Sequence, residues 1–190
     1  MLVEMVVVGA LETNCYIISA GKEAREVIII DPGADKDTIL DAVGDRTIKA
    51  VMLTHGHFDH TGALDAFSKY PIYIHKEDAP MLSDTRLNGG YLVGDGHQRP
   101  EATRFYKEWD VVDLANMHLK VLETPGHTMG SVCILEGDQM LTGDTLFKGD
   151  YGRTDLAGGS ATLMRESLRR LFSMHGIRIW PGHGDDDIIR

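Results

Sequence analysis

Short runs of β-branched and aliphatic residues, broken by glycine-containing and acidic turns, set the rhythm of this chain. Residues 3–8, Asn14-Cys15-Tyr16-Ile17-Ile18-Ser19 and Glu26-Val27-Ile28-Ile29-Ile30 read as three strands, with turns such as Ala20-Gly21-Lys22 between them. Asp31-Pro32-Gly33 ends the third strand, and Ile39, Leu40 and Val43 then share one face of a helix over 36–43. A buried strand over 49–53 comes next, then a polar loop, then helical spacing of Ala63, Leu64 and Phe67 over 62–68. Ile72-Tyr73-Ile74 is a further strand, followed by a short helix near 76–83. This order of strand, loop, helix and strand implies a partly parallel sheet with helices on its face.

Residues 84–104 break the pattern. The stretch from Leu87 to Pro100 holds four glycines and no sustained periodicity, and such a long loop is expected to be a lid or a pocket wall. Strands resume at 111–114 and 118–123. The turn Glu136-Gly137-Asp138 joins two more, 131–135 and 139–142, as a hairpin. Residues 160–173 form an amphipathic helix, with Leu163, Ser167, Leu168 and Leu171 aligned and Arg165, Arg169 and Arg170 facing outward. The last strand, 177–180, runs into Pro181-Gly182-His183-Gly184.

Composition adds bounds to this picture. A chain of 190 residues is expected to form one domain, 1–190, with a sizeable core, and its 43% apolar and 25% charged content is ordinary for a globular protein. No apolar stretch approaches the roughly 20 residues that cross a bilayer, so no membrane span is expected. The first residues lack the basic and small-residue marks of a signal peptide, and Cys15 and Cys133 sit inside strand-like runs as thiols, so a cytoplasmic location is the expectation. The net charge of −10 argues against a nucleic-acid partner, which needs clustered Lys and Arg.

The candidate chemistry is concentrated in Thr54-His55-Gly56-His57-Phe58-Asp59-His60-Thr61, directly after an apolar strand. Three imidazoles and a carboxylate within six positions, in a chain of nine His, point to a metal site. Three later segments share that context of apolar strand and tight turn: Thr124-Pro125-Gly126-His127-Thr128, Thr142-Gly143-Asp144-Thr145 and Pro181-Gly182-His183-Gly184. Strand ends converge on one rim of a sheet, so residues distant in sequence can meet there. The remaining His75, His97, His118 and His175 lack that context and read as structural or surface residues.

His-x-His-x-Asp-His at 55–60, with His127, Asp144, His183 and the earlier Asp31, resembles the metallo-β-lactamase superfamily across residues 14–184. The fold this resemblance implies is mixed α/β, a four-layer αββα sandwich with metals at one edge of its two sheets. It implies that His55, His57 and His127 hold one divalent ion and Asp59, His60 and His183 a second. Asp144 bridges them with a shared water or hydroxide, which makes Asp59 and Asp144 the catalytic carboxylates. Asp31 would orient a ligand imidazole through a hydrogen bond. Imidazole and carboxylate suit zinc best, with iron or manganese possible. Two divalent ions, two carboxylates and one hydroxide sum to about +1, so such a centre attracts an anion despite the acidic chain.

A metal pair lowers the pKa of bound water from 15.7 to about 7 and stabilises a developing oxyanion, so hydrolysis is the implied chemistry. The stretch from Gly143 to Asp155 is similar to the glyoxalase II (hydroxyacylglutathione hydrolase) branch and its short relatives. That similarity implies a thioesterase acting on an anionic thioester, S-lactoylglutathione among them. Arg153, with Lys148 nearby, would bind a substrate carboxylate, unless Arg153 braces its own loop through Asp155. Longer members append a helical C-terminal domain that contacts glutathione; no such domain is expected here, which separates hydrolase chemistry from glutathione specificity. A persulfide dioxygenase of the superfamily would need one iron, for which His55, His127 and Asp144 suffice. A non-catalytic metal-binding scaffold is the alternative of a different class. The sequence leaves the oligomeric state open.

Overall fold

The computed structural model describes residues 1–190 and has two six-stranded sheets packed face to face. The first comprises β1 (Leu2–Val8), β2 (Thr13–Ser19), β3 (Glu26–Ile30), β4 (Thr47–Met52), β5 (Ile72–His75) and β6 (Arg104–Tyr106), in that spatial order. The second comprises β7 (Val111–Leu114), β8 (Met117–Glu123), β9 (Val132–Glu136), β10 (Gln139–Gly143), β11 (Arg178–Pro181) and β12 (Asp187–Ile188), again neighbour to neighbour. Helix α1 (Lys36–Val43) covers the outside of the first sheet and α3 (Ala161–Leu171) the outside of the second. The short α2 (Phe58–Thr61) caps the edge where the metal-ligand candidates lie.

Strand alternation explains why four layers form. On β2, Cys15 and Ile17 join Ile39 and Val43 of α1, while Tyr16 and Ile18 point into the space between the sheets. On β3, Val27 and Ile29 repeat the first choice and Ile28 and Ile30 the second. Across the gap, Leu119, Val121, Val132, Ile134 and Leu141 meet them. Leu122, Cys133 and Met140 turn the other way, onto Met164, Leu168 and Leu171 of α3. Each fully buried aliphatic side chain contributes about 1.5–3 kcal/mol, so a slip of one residue in a central strand would reverse all these contacts at once.

Topology then delivers the site. Strands β3, β4, β5 and β6 pair in parallel, as do β10 and β11, and β8 runs the same way as β10 because each is antiparallel to β9. Their carboxyl ends therefore carry Asp31, the 54–60 run, His127, Asp144 and His183. Backbone bonds stitch the two sheets together at this rim: Val132 N–H donates to Thr54 O at 2.9 Å and Asn14 N–H to Gly182 O at 2.7 Å. The Tyr16 hydroxyl adds a bond to Pro181 O at 2.6 Å.

Several expected elements differ in detail. The helix expected over 62–68 is a single 3₁₀ turn, Leu64–Phe67, preceded by the unexpected α2, and that expected near 76–83 is a 3₁₀ turn, Ala79–Leu82. Each stretch is too short to carry a helix through its own propagation, and packing under the first sheet sets the local geometry. The short edge strands β6 and β12 are not expected from the sequence; three and two residues carry no readable alternation. In α3 the buried positions are Met164, Ser167, Leu168 and Leu171, with Leu163 half-buried, and Ser160 caps the helix by accepting from Leu163 N–H at 3.4 Å.

Candidate metal centre

The chain leaves β4 at Leu53 and turns through Thr54–His57 into α2, and a buried carboxylate shapes that turn. Asp31, at the end of β3 with φ of 50°, accepts from Thr54 N–H at 2.8 Å, from the Thr54 hydroxyl at 2.5 Å and from His60 Nδ1 at 3.0 Å. Aspartate is among the residues that tolerate this left-handed backbone. Since the Thr54 proton goes to Asp31, the hydroxyl oxygen can accept from His55 Nδ1, 3.1 Å away. Both rings thus offer Nε2 as the free nitrogen. The groups Asp31, His55 and His60 are close enough to be read as a metal triad, but the Asp31 oxygens are already occupied by these donors, which makes Asp31 an orienting residue.

The second-sheet residues are oriented by backbone carbonyls. His127 Nδ1 lies 2.7 Å from Arg153 O, and His183 Nδ1 lies 3.1 Å from Leu11 O, so each ring again turns Nε2 inward. His57 Nδ1 and His127 Nε2 approach to 2.7 Å. His183 Nε2 lies 3.2 Å from Asp59 Oδ2 and 3.6 Å from Asp144 Oδ2, and His60 Nε2 lies 3.3 Å from Asp144 Oδ1. Asp144 can sit this close to the rim because glycines flank it. A Cβ at Gly182 would lie 2.1 Å from Asp144 Oδ1, and one at Gly152 would lie 1.8 Å from Asp144 O.

Two donor sets result, each within 4.8 Å: His55, His57 and His127, and Asp59, His60 and His183. Asp144 lies between them, 3.4 Å from His127 Nε2 and within reach of His60 and His183. All seven residues proposed as ligands from the sequence are therefore in one cluster. Four of their buried atoms have no hydrogen-bond partner: Nε2 of His55, His57 and His60, and Oδ1 of Asp144. Leaving such atoms unpaired costs about 1–3 kcal/mol each, and cations at the two donor sets would take up these lone pairs, so the residues fit a metal centre. The nitrogen and oxygen donor set is one that Zn²⁺, Fe²⁺ and Mn²⁺ accept.

Charge is distributed accordingly. Burial, reinforced by the facing imidazoles of His60 and His127, holds His55 below the usual histidine range. Burial and His127 bring His57 down to about 3. Both rings are neutral, with lone pairs available. Burial alone would raise Asp59 and Asp144, but His60 and the other nearby imidazoles outweigh it and keep both carboxylates ionised. His60 is held high despite burial because Asp59 and Asp144 face it, so a positive charge is favoured between these carboxylates.

Three positioning residues carried no readable signal in the sequence. Thr13 donates to Asp59 Oδ2 at 3.0 Å, and the Asn14 amide donates to Pro181 O at 3.0 Å and Gly184 O at 2.8 Å. Asp78 is buried, and burial holds its carboxyl high even though it accepts three bonds. These come from Gly56 N–H at 3.0 Å, Gly130 N–H at 2.7 Å and the Thr128 hydroxyl at 2.6 Å, so Asp78 joins the 55–57 loop to the His127 loop. Thr13 and Asn14 open β2, and Asp78 lies three residues past β5, with nothing in the local pattern to mark their partners.

The expected substrate-binding cations lie on an exposed loop beside Asp144. Arg153 forks onto Asp155 at 2.7 and 2.8 Å, and Lys148 lies 3.1 Å from Asp185. The other histidines are outside the cluster: His75 bonds Glu123 at 2.9 Å, His97 pairs with Asp65, His118 pairs with Asp113, and His175 is exposed. Residues 84–104 form a wall beside α2, with Val93 and Arg99 facing a groove there. No helix is long and apolar enough to cross a membrane.

Known proteins share both the fold and the span. The chain is 34% identical to the probable metallo-hydrolase YqgX of Bacillus subtilis over 190 residues, covering 94% of this chain and 88% of YqgX. It superposes on the BLEG-1 B3 metallo-beta-lactamase with a TM-score of 0.93 at 30% identity, covering 99% of this chain and 94% of that one. It superposes on TTHA1623 in a di-iron-bound form with a TM-score of 0.87 at 30% identity, covering 98% and 94%. The profile of the Metallo-beta-lactamase superfamily matches residues 8–183, from the end of β1 through the last candidate ligand, and the chain belongs to that superfamily.

Proposed function

We propose that this metal-dependent hydrolase binds two divalent ions and cleaves thioesters, S-lactoylglutathione or a related acyl-thiol. The division of the donors into two sets joined by Asp144 carries the reading. His55, His57 and His127 would hold one ion and Asp59, His60 and His183 the other. Zinc is the first choice, with iron and manganese as alternatives; the di-iron form of TTHA1623 keeps iron in view. A bound pair supplies Lewis acidity, a water acidified to a pKa of about 7, and positive charge for a developing oxyanion.

The chain's own residues do the rest. Asp31, Arg153 O and Leu11 O hold imidazole Nδ1 atoms, which keeps His60, His127 and His183 in the tautomer that offers Nε2. Asp59 and Asp144, kept ionised, orient an attacking water at their oxygens. The acidic thiol of the product, with a pKa of about 8.5, leaves as thiolate without a strong general acid. Lys148 and Arg153, exposed just past Asp144, would receive the anionic end of the substrate.

The test is metal analysis with a substrate panel on metal-loaded protein: S-lactoylglutathione, other thioesters, an ester, a lactone, a β-lactam and glutathione persulfide. The expected outcome is two ions per chain and fastest turnover of a thioester. One iron per chain with oxygen consumption on the persulfide would establish the dioxygenase instead. Full metal loading with no turnover would establish a scaffold. A β-lactam as the best substrate would give the chain the activity named for BLEG-1.

A further inference from the structure

A groove of about 710 Å³, with Asp59 in its wall, lies between the β1–β2 turn, the start of α1, α2 and the 84–104 wall. This volume is within the range of small-molecule pockets. Its apolar surface comes from Val8, Leu11, Ala34, Phe58, Ala66 and Val93. Four carboxylates and two cations also line it, and each is already engaged within the chain. Asp35 accepts from Gly9 N–H at 2.8 Å, Asp59 accepts from the Thr13 hydroxyl at 3.0 Å, Asp65 pairs with His97 and Asp95 with Arg99. Lys36 lies 2.7 Å from Asp37.

We infer that this groove seats the acyl arm of the substrate and selects a neutral, medium-length chain over a short or charged one, an inference that rests on the thioester reading. The charge balance assigns the arm. The lining carries four carboxylates against two cations, so an anionic thiol carrier is disfavoured there. The exposed cations Lys148 and Arg153 are on a different loop, just past Asp144. A thioester whose acyl arm lies along this groove thus meets apolar surface beside Asp59. Val93, 63% exposed, is the kind of side chain that a passing chain of methylenes would cover.

The experiment uses metal-loaded protein and one neutral thiol, N-acetylcysteamine, carrying acetyl, butanoyl, hexanoyl, octanoyl and succinyl groups. kcat/KM is expected to rise roughly two- to fourfold per methylene, because the groove is partly open and full burial of a methylene corresponds to about fourfold. The succinyl thioester is expected to fall below the butanoyl one. Val93→Asp, at an exposed position that folding tolerates, should cost the octanoyl thioester at least tenfold more than the acetyl one with metal content unchanged. Ala66→Leu should shift the optimum to a shorter chain. Hydrolysis with a flat chain-length profile overturns the inference and leaves the thioester reading standing. So does a Val93→Asp effect that follows the thiol, glutathione against N-acetylcysteamine, and ignores the acyl group. Absence of hydrolysis on every thioester sinks both.

Discussion

His55, His57, Asp59 and His60 share one loop-and-helix segment, whereas His127, Asp144 and His183 each arrive alone from a different strand of the second sheet. The two sets are also held differently. Buried carboxylates hold the first: Asp31 grips Thr54 and His60, and Asp78 grips Gly56 while also reaching Thr128 and Gly130 beside His127. Backbone carbonyls orient the two imidazoles of the second, and glycines make room for Asp144. A carboxylate accepting several buried N–H and O–H bonds is worth more than a single neutral bond, about 1.5–3 kcal/mol for each charged contact. Loss of one carboxylate anchor therefore disturbs several ligands together. Loss of one second-sheet anchor disturbs a single ligand.

The largest effect is expected at Asp144, between the His55, His57 and His127 donors and the Asp59, His60 and His183 donors. Asp144→Ala should reduce turnover to background and leave at most one ion per chain; a variant that keeps both ions and its activity would refute the bridging role. A smaller and more informative effect is expected from the anchors. Asp31→Asn and Asp78→Asn should each weaken metal affinity by roughly 10–100-fold. Asp31→Asn should weaken the Asp59, His60 and His183 set most, through its direct bond to His60, and the His55 set less, through Thr54. Asp78→Asn should act mainly on the His55, His57 and His127 set, because Asp78 holds Gly56, Thr128 and Gly130. Stepwise metal titration of each variant separates the two sites, and equal weakening of both steps would contradict the division of labour drawn here.

The smallest effect is expected on the exposed flank. Arg153→Ala should raise KM for anionic thioesters several-fold more than for neutral ones. An equal rise for both would mean that the Arg153 side chain braces the loop through Asp155, steadying the carbonyl that holds His127. Melting temperatures of variant and parent should differ little, since an exposed ion pair contributes little to stability.

The ligands were legible because metal chemistry restricts the residue types and because turns at strand ends are marked by glycine. Thr54–Thr61 announced itself by density, and His127, Asp144 and His183 by their shared context. Asp78 and Asn14 announced nothing: a single polar residue after a strand or at its start looks the same in sequence whether it faces solvent or buried partners. Strands β2, β3, β8, β9 and β10 were legible through their alternation or continuous apolar character. β6 and β12 were not, because a two- or three-residue edge strand is defined by its partner and not by its own pattern.

By itself, then, the sequence determined the strand periodicity, the types of metal donor and the one dense loop, all of which depend on residues near one another along the chain. Only the tertiary structure decided which nitrogen each imidazole presents, which buried carboxylates grip which loop, and where an apolar groove opens beside Asp59. Those are long-range properties: they depend on the chemical groups that packing brings within 3 Å or so of each other, and hydrogen bonding acts only at that distance.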